Sequence, residues 1–128
     1  MGAGISSPNF TPPATVVVNV INQWYNEHPF AQQSDINNLS RISNGPNAIG
    51  HFLNIVSERN TAVGCAISNY MFEGWNYSLF ACNFATTNML GQPVYRTGVT
   101  GSGCTLGRDT RFTGLCRTNE PIDPNSFA

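Results

Sequence analysis

The 128-residue chain contains no lysine and few charges of either sign: 10% of its residues are charged and the formal net charge is -1. Without a basic stripe it has nothing to neutralise a phosphate backbone, which excludes nucleic acid as a partner and disfavours anionic membrane surfaces. Long apolar runs are missing as well. The candidate Val16 to Val20 is broken by Asn19, has polar residues close on both sides and falls far short of a membrane span. The first fifteen residues lack the charged start and apolar stretch of a signal peptide, so secretion has to be inferred from other features. They match only the permissive N-myristoylation pattern, Met1-Gly2-Ala3-Gly4-Ile5-Ser6. No internal repeat is visible. What is present, 41% hydrophobic residues in a chain of single-domain length, implies one compact core.

Close cysteine pairs of the kind used by structural zinc sites are absent too, because Cys65, Cys82, Cys104 and Cys116 stand well apart. Disulfides are the better reading. Four cysteines permit three pairings; the sequence-local one joins Cys65 to Cys82 and Cys104 to Cys116, stapling a strand pair and then a C-terminal loop. Each bridge would contribute roughly 3 kcal/mol by restricting the unfolded chain. The competing reading is four buried free thiols in a reducing compartment. Glycosylation sequons at Asn9, Asn38 and Asn76 point toward the secretory pathway.

Gly, Ser and Pro dominate the start, so residues 1–14 read as an unstructured leader ending at Pro12-Pro13. Thr15 is a suitable N-cap for a helix with Val17, Val20, Ile21 and Trp24 on one face, stopping before Pro29. Asn, Ser and Gly from Gln32 to Pro46 indicate a loop. Ile49, Phe52, Leu53 and Val56 then follow helical spacing behind a first-turn Pro46. After Arg59-Asn60 the pattern changes to β, with strands over Thr61–Ser68 and Ser78–Thr86 separated by Asn, Gly and aromatic residues. From Leu90 onward, loops are expected, with a short strand near Pro93–Arg96. The fold class is therefore α+β, two helices followed by antiparallel strands and a loop-rich C-terminus.

Gly50-His51-Phe52-Leu53-Asn54-Ile55-Val56, then Arg59-Asn60 and Val63-Gly64-Cys65-Ala66, resembles the first signature of the CAP superfamily. Ala81-Cys82-Asn83-Phe84-Ala85 and Leu90-Gly91-Gln92-Pro93-Val94-Tyr95 resemble its second signature in the insect venom-allergen branch, and Gly114-Leu115-Cys116 matches that branch's C-terminal cysteine segment. The resemblance covers roughly Thr15 to Cys116. It implies a partial three-layer α-β-α sandwich over residues 15–118, followed by a tail over 119–128. The family cleft carries two histidines and two glutamates. Only its later half has counterparts here: His51 stands at the second cleft histidine and Glu27 where one cleft glutamate falls. The earlier His-Asn pair and Gly-Glu-Asn turn are missing, and Leu53-Asn54 replaces the usual Thr-Gln.

On a helical wheel His51 lies about 160° from Ile49 and should be accessible. It reads either as a cleft residue paired with Glu27 or as a surface histidine on an amphipathic helix. With only Glu27 and His51 as candidate ligands, and His28 poorly placed beside Glu27, zinc would be held weakly if at all, and no cofactor is expected. Nucleophilic catalysis has no support: there is no Gly-x-Ser-x-Gly elbow, and Ser57 and Glu58 read as solvated helix positions. Trp24, Phe52, Phe80 and Phe84 are expected inside, whereas Phe72 to Tyr77 are placed to touch a partner or lipid.

These readings combine into a non-enzymatic extracellular binding module whose partner is a protein or a lipid. A metal-dependent hydrolase using His51 and Glu27 is the alternative, and a truncated gene product with no independent function is a third. A sheet normally covered on both faces would be left with one apolar face open, so self-association is expected.

Overall fold

A computed structural model describes residues 1–42 and 45–126. Its elements run β1 (Gly2–Ser7), α1 (Pro13–Tyr25), a 3-10 turn (His28–Phe30), α2 (Gln33–Asn37), α3 (Gly50–Val56), β2 (Val63–Phe72) and β3 (Trp75–Phe84). The strands form one antiparallel sheet in the order β1-β3-β2. The class is α+β, as expected, and the architecture is consistent with a partial CAP sandwich.

The start of the chain departs from the unstructured leader. Gly2–Ser7 pairs with β3 from Gly2 opposite Ala81 to Ser7 opposite Asn76. Met1 extends the ladder: its ammonium donates to the Cys82 carbonyl and the Cys82 N–H donates to the Met1 carbonyl, both at 2.7 Å. Composition hid this strand because its stability comes from backbone pairing rather than from large side chains. Glycine suits the close approach, since a Cβ on Gly2 would lie 3.3 Å from the Phe80 carbonyl oxygen.

Helix α1 begins at Pro13, two residues before the expected cap, with Pro12 as N-cap and proline in its first turn. The buried face also differs in part from the expected one. Val16, Val20 and Trp24, four residues apart, pack on Phe80 and Cys82, while Ile21 is exposed and Val17 half-buried. The loop expected over 32–46 contains a third helix, α2. Its first turn is closed by a capping box in which the Gln32 N–H donates to Asp35 at 2.9 Å, and Arg41 pairs with the same carboxylate at 3.0 Å. Ser43 and Asn44 of that loop, and Phe127 and Ala128 of the expected tail, lie outside the described residues. A second core gathers Ile36, Leu39, Ile49, Leu53 and Val94.

Strands β2 and β3 are direct neighbours over ten pairs, from Val63 opposite Phe84 to Phe72 opposite Trp75. The aromatic stretch expected as a connection is part of the ladder. Only Glu73 and Gly74 turn, both with positive φ (49° and 80°), the backbone of a two-residue hairpin loop. Cys65 faces Cys82 across the pair and is bonded to it, and Cys104 is bonded to Cys116, which is the sequence-local pairing. Ser78, Phe80 and Cys82 point to the α1 side, while on the opposite face Tyr70, Phe72, Trp75 and Leu79 are 42% to 58% exposed.

No strand forms at Pro93–Arg96. The Val94 N–H donates to the Ile36 carbonyl and the Val94 carbonyl accepts from the Glu58 N–H, so this segment bridges α2 and the end of α3 instead of joining the sheet. Farther on, the expected tail is tied back, because Glu120 accepts the N–H groups of Thr105 and Leu106. Asp109 likewise accepts those of Arg111 and Phe112. The Phe112 and Arg111 amides hold the Asp109 carboxyl below its ordinary pKa, and those of Leu106 and Thr105 do the same for Glu120. A carboxyl whose pKa is lowered by folding contributes order above its unfolded pKa, and that contribution is lost as pH falls through the folded value. In an acid titration followed by NMR, these four amide signals are expected to hold steady at neutral pH. They should move together only below the ordinary carboxylate range; movement above it would contradict the assignment.

Candidate functional site

Glu27 lies just beyond α1, between the Asn26 cap and the 3-10 turn, and faces the start of α3. One carboxylate oxygen, Oε2, accepts the backbone N–H groups of His51 (2.8 Å) and Phe52 (3.0 Å). These are among the amides that a helix start leaves without intrahelical partners, so Glu27 is a cap supplied by a distant part of the chain. The other oxygen, Oε1, meets His51 Nδ1 at 2.7 Å. An ionised carboxylate only accepts, so Nδ1 carries the hydrogen, and in the neutral ring Nε2 is left as the acceptor, with no partner among the described residues.

The imidazole is held from its face as well. It stacks on Trp24 with ring centroids 5.4 Å apart and planes 1° from parallel. Its side chain is 36% exposed, against 13% for Glu27, and it lines a small open cleft with Met1, Ile42, Asn54, Thr87 and Asn88. The structure thus brings together both cleft residues named from the sequence. The mutual orientation is one that metal-ligating histidines often use, with a carboxylate on the far nitrogen.

Among the described residues no group of three or more His, Cys, Asp or Glu is placed to hold a metal ion, and the Glu27 carboxylate already receives three hydrogen bonds. The His28 Nδ1 meets the Tyr25 carbonyl at 3.0 Å, and its ring packs against Tyr25 and Phe52.

Ser57 and Glu58 differ from their reading as solvated helix positions. Helix α3 ends at Val56, Ser57 is buried, and Glu58 pairs with Arg96 at 3.2 Å. Trp24 and Phe80 are buried as expected, while Phe52 and Phe84 are half-buried at the margins of the two cores. Of the sequon residues, Asn9 and Asn38 are exposed; Asn76 is half-buried in β3 and its amide donates to the Pro8 carbonyl at 2.8 Å.

Sequence reasoning missed a second surface. An open apolar groove of about 360 Å³ runs between Ile21 of α1, Ile55 of α3 and the ends of β2 and β3 at Val63 and Phe84, with the Cys65–Cys82 bridge on its wall. Ile21 and Val63 are exposed apolar residues far apart in sequence, and only their convergence reveals it.

The sequence profile of the cysteine-rich secretory protein family, CAP, matches residues 3–84. The chain belongs to the CAP family. The match begins inside β1, so the segment first read as a leader is part of the CAP domain. Venom allergen-1 of Aedes albopictus is 38% identical over 111 residues, which cover 85% of this chain and 43% of that protein. Venom allergen-1 of Aedes aegypti is 31% identical over 109 residues, again 85% of this chain and 42% of the relative. Tabinhibitin 7 of Tabanus yao is 36% identical over 83 residues, 64% of this chain and 32% of that protein. This CAP chain spans less than half the length of these relatives. Among the described residues no helix is long and apolar enough to cross a membrane.

Proposed function

We propose that this CAP chain acts outside the cell as a non-enzymatic binding module that seats an apolar, lipid-like ligand. The observation that carries this reading is the groove beside the Cys65–Cys82 bridge, whose volume and largely apolar lining are those of small-molecule sites. Of its polar lining, the Asn60 amide is bonded to Asn54 and to the Thr86 N–H, which leaves exposed Thr61 to meet the polar end of an amphiphile. The Glu27 carboxylate, taken up by the amides of α3 and by His51, is committed to holding the helix start and is not itself a general base. An extracellular setting is supported by two bridges joining all four cysteines, since such bonds persist in oxidising compartments. Exposed Asn9 and Asn38 are the sequons best placed to carry glycans.

Protein from a secreting host is expected to bind a long-chain fluorescent fatty acid saturably and to release it to unlabelled fatty acid. Val63 is 56% exposed, so Val63→Glu leaves the core intact while placing a charge in the groove. Binding should weaken about tenfold or more. No binding by the wild type, or equal binding by the variant, would remove the reading. A chromogenic ester or peptide turned over only with added zinc, and not by His51→Ala, would favour the hydrolase instead.

A further inference from the structure

The backbone groups of β2 alternate between the β3 side and the free edge of the sheet, and two contacts fix which residues face which way. Cys82, opposite Cys65, exchanges both its N–H and its carbonyl with Met1 on the β1 side. Three residues farther along, and so in the opposite phase, the Ala85 N–H donates to the carbonyl of Ala62, just before β2. Even-numbered residues of β2 are therefore the ones hydrogen-bonded to β3. The N–H and carbonyl groups of Cys65, Ile67, Asn69 and Met71 point out of the sheet, with no backbone partner among the described residues.

Such an edge is ordinarily protected by lysine, proline, a bulge or a covering loop. Val63–Phe72 has no charged residue and no proline, it pairs with β3 without a bulge, and nine of its ten residues are exposed. Its side chains are also graded. Small residues, Gly64 and Ala66, stand at one end and large ones, Tyr70, Met71 and Phe72, at the other.

We propose that β2 is a homodimerisation edge, pairing antiparallel with β2 of a second copy about a two-fold axis at Ile67. That register sets Cys65 opposite Asn69, Val63 opposite Met71 and Ile67 opposite itself, so every pair along the axis joins residues whose backbone groups are free. On the outer face it sets Tyr70 against Gly64 and Phe72 against Ala62, large against small, with the small residues Ser68 and Ala66 facing each other near the axis. An antiparallel copy of the same graded strand is the partner that guarantees this match, and with no charge on either strand the copies do not repel. The result is one continuous six-stranded sheet with the helices of both copies on the same side. The expected self-association is thereby assigned to the edge and not to the open face, and it does not depend on what the groove holds.

Sedimentation velocity from about 1 to 200 µM, the range of a modest interface, is expected to show a reversible dimer. Met71 is 68% exposed and its amide faces outward, so Met71→Pro should abolish the dimer while far-UV circular dichroism and the disulfides stay unchanged. Leu79→Lys, on the open face, should leave it in place. Amide exchange on the wild type gives an independent reading: Cys65, Ile67, Asn69 and Met71 should gain protection as concentration rises, while Gly64, Ala66, Ser68 and Tyr70 should not. A wild type that stays monomeric, a dimer that survives Met71→Pro, one dissolved by Leu79→Lys, or exchange that ignores this alternation would each overturn the proposal.

Discussion

Trp24→Ala is expected to destabilise the domain by about 3–5 kcal/mol, a large share of the total for a protein of this size. The indole is 2% exposed at the centre of the α1–sheet core, stacked on Phe80 at 5.6 Å and on His51 at 5.4 Å. Its removal opens a cavity between α1 and β3 and takes away the surface on which His51 rests. The melting temperature should fall by more than roughly 10 °C. Trp24→Phe separates ring packing from the polar edge. Trp24 Nε1 is buried without a hydrogen-bond partner among the described residues, so exchanging indole for phenyl loses area but also removes an unsatisfied donor. A cost of about 1 kcal/mol is expected, because the two terms oppose each other. Urea unfolding followed by circular dichroism measures both variants. If Trp24→Phe costs as much as Trp24→Ala, the indole N–H matters and the packing argument fails.

The elements that were legible in advance are those whose side chains carry the signal. The helix ending at Trp24 and the β character of the two cysteine-bearing segments were visible as apolar spacing and β-branched or aromatic enrichment. What escaped depends on groups that look alike at every position. Strand β1 is small residues held by backbone bonds to β3, and the short α2 is held by Asp35, which caps its start and pairs with Arg41. The buried face of α1 shares Val20 and Trp24 with the expected one but takes Val16 in place of Val17 and Ile21, because a run of adjacent valines leaves more than one apolar stripe to choose from. At Phe72–Tyr77, aromatic residues around a glycine read as a loop, yet Phe72 and Trp75 close a hairpin that needs only two residues to turn. The site was half legible. Family resemblance picked out Glu27 and His51, but nothing local announces that a carboxylate 24 residues upstream caps the helix on which the histidine sits.

That capping role yields the second large effect. Glu27→Ala is expected to cost about 2–4 kcal/mol, since it leaves two amides at the start of α3 unpaired and removes a charged acceptor from a half-buried position. Glu27→Gln should cost about 1 kcal/mol, because the amide oxygen can still receive the His51 and Phe52 N–H groups. Without a carboxylate demanding a hydrogen on Nδ1, imidazole nitrogen shifts should report a mixture of tautomers in this variant, against one dominant form in the wild type. A double-mutant cycle with His51→Ala separates the two tasks of Glu27. If the residue serves mainly as a cap, Glu27→Ala should remain costly when the imidazole is already gone, because two of its three bonds go to backbone amides that His51→Ala leaves in place. Were most of the Glu27 contribution to disappear in the His51→Ala background, the carboxylate would be there for the imidazole. The pair would then have to be reconsidered as a poised acid–base couple.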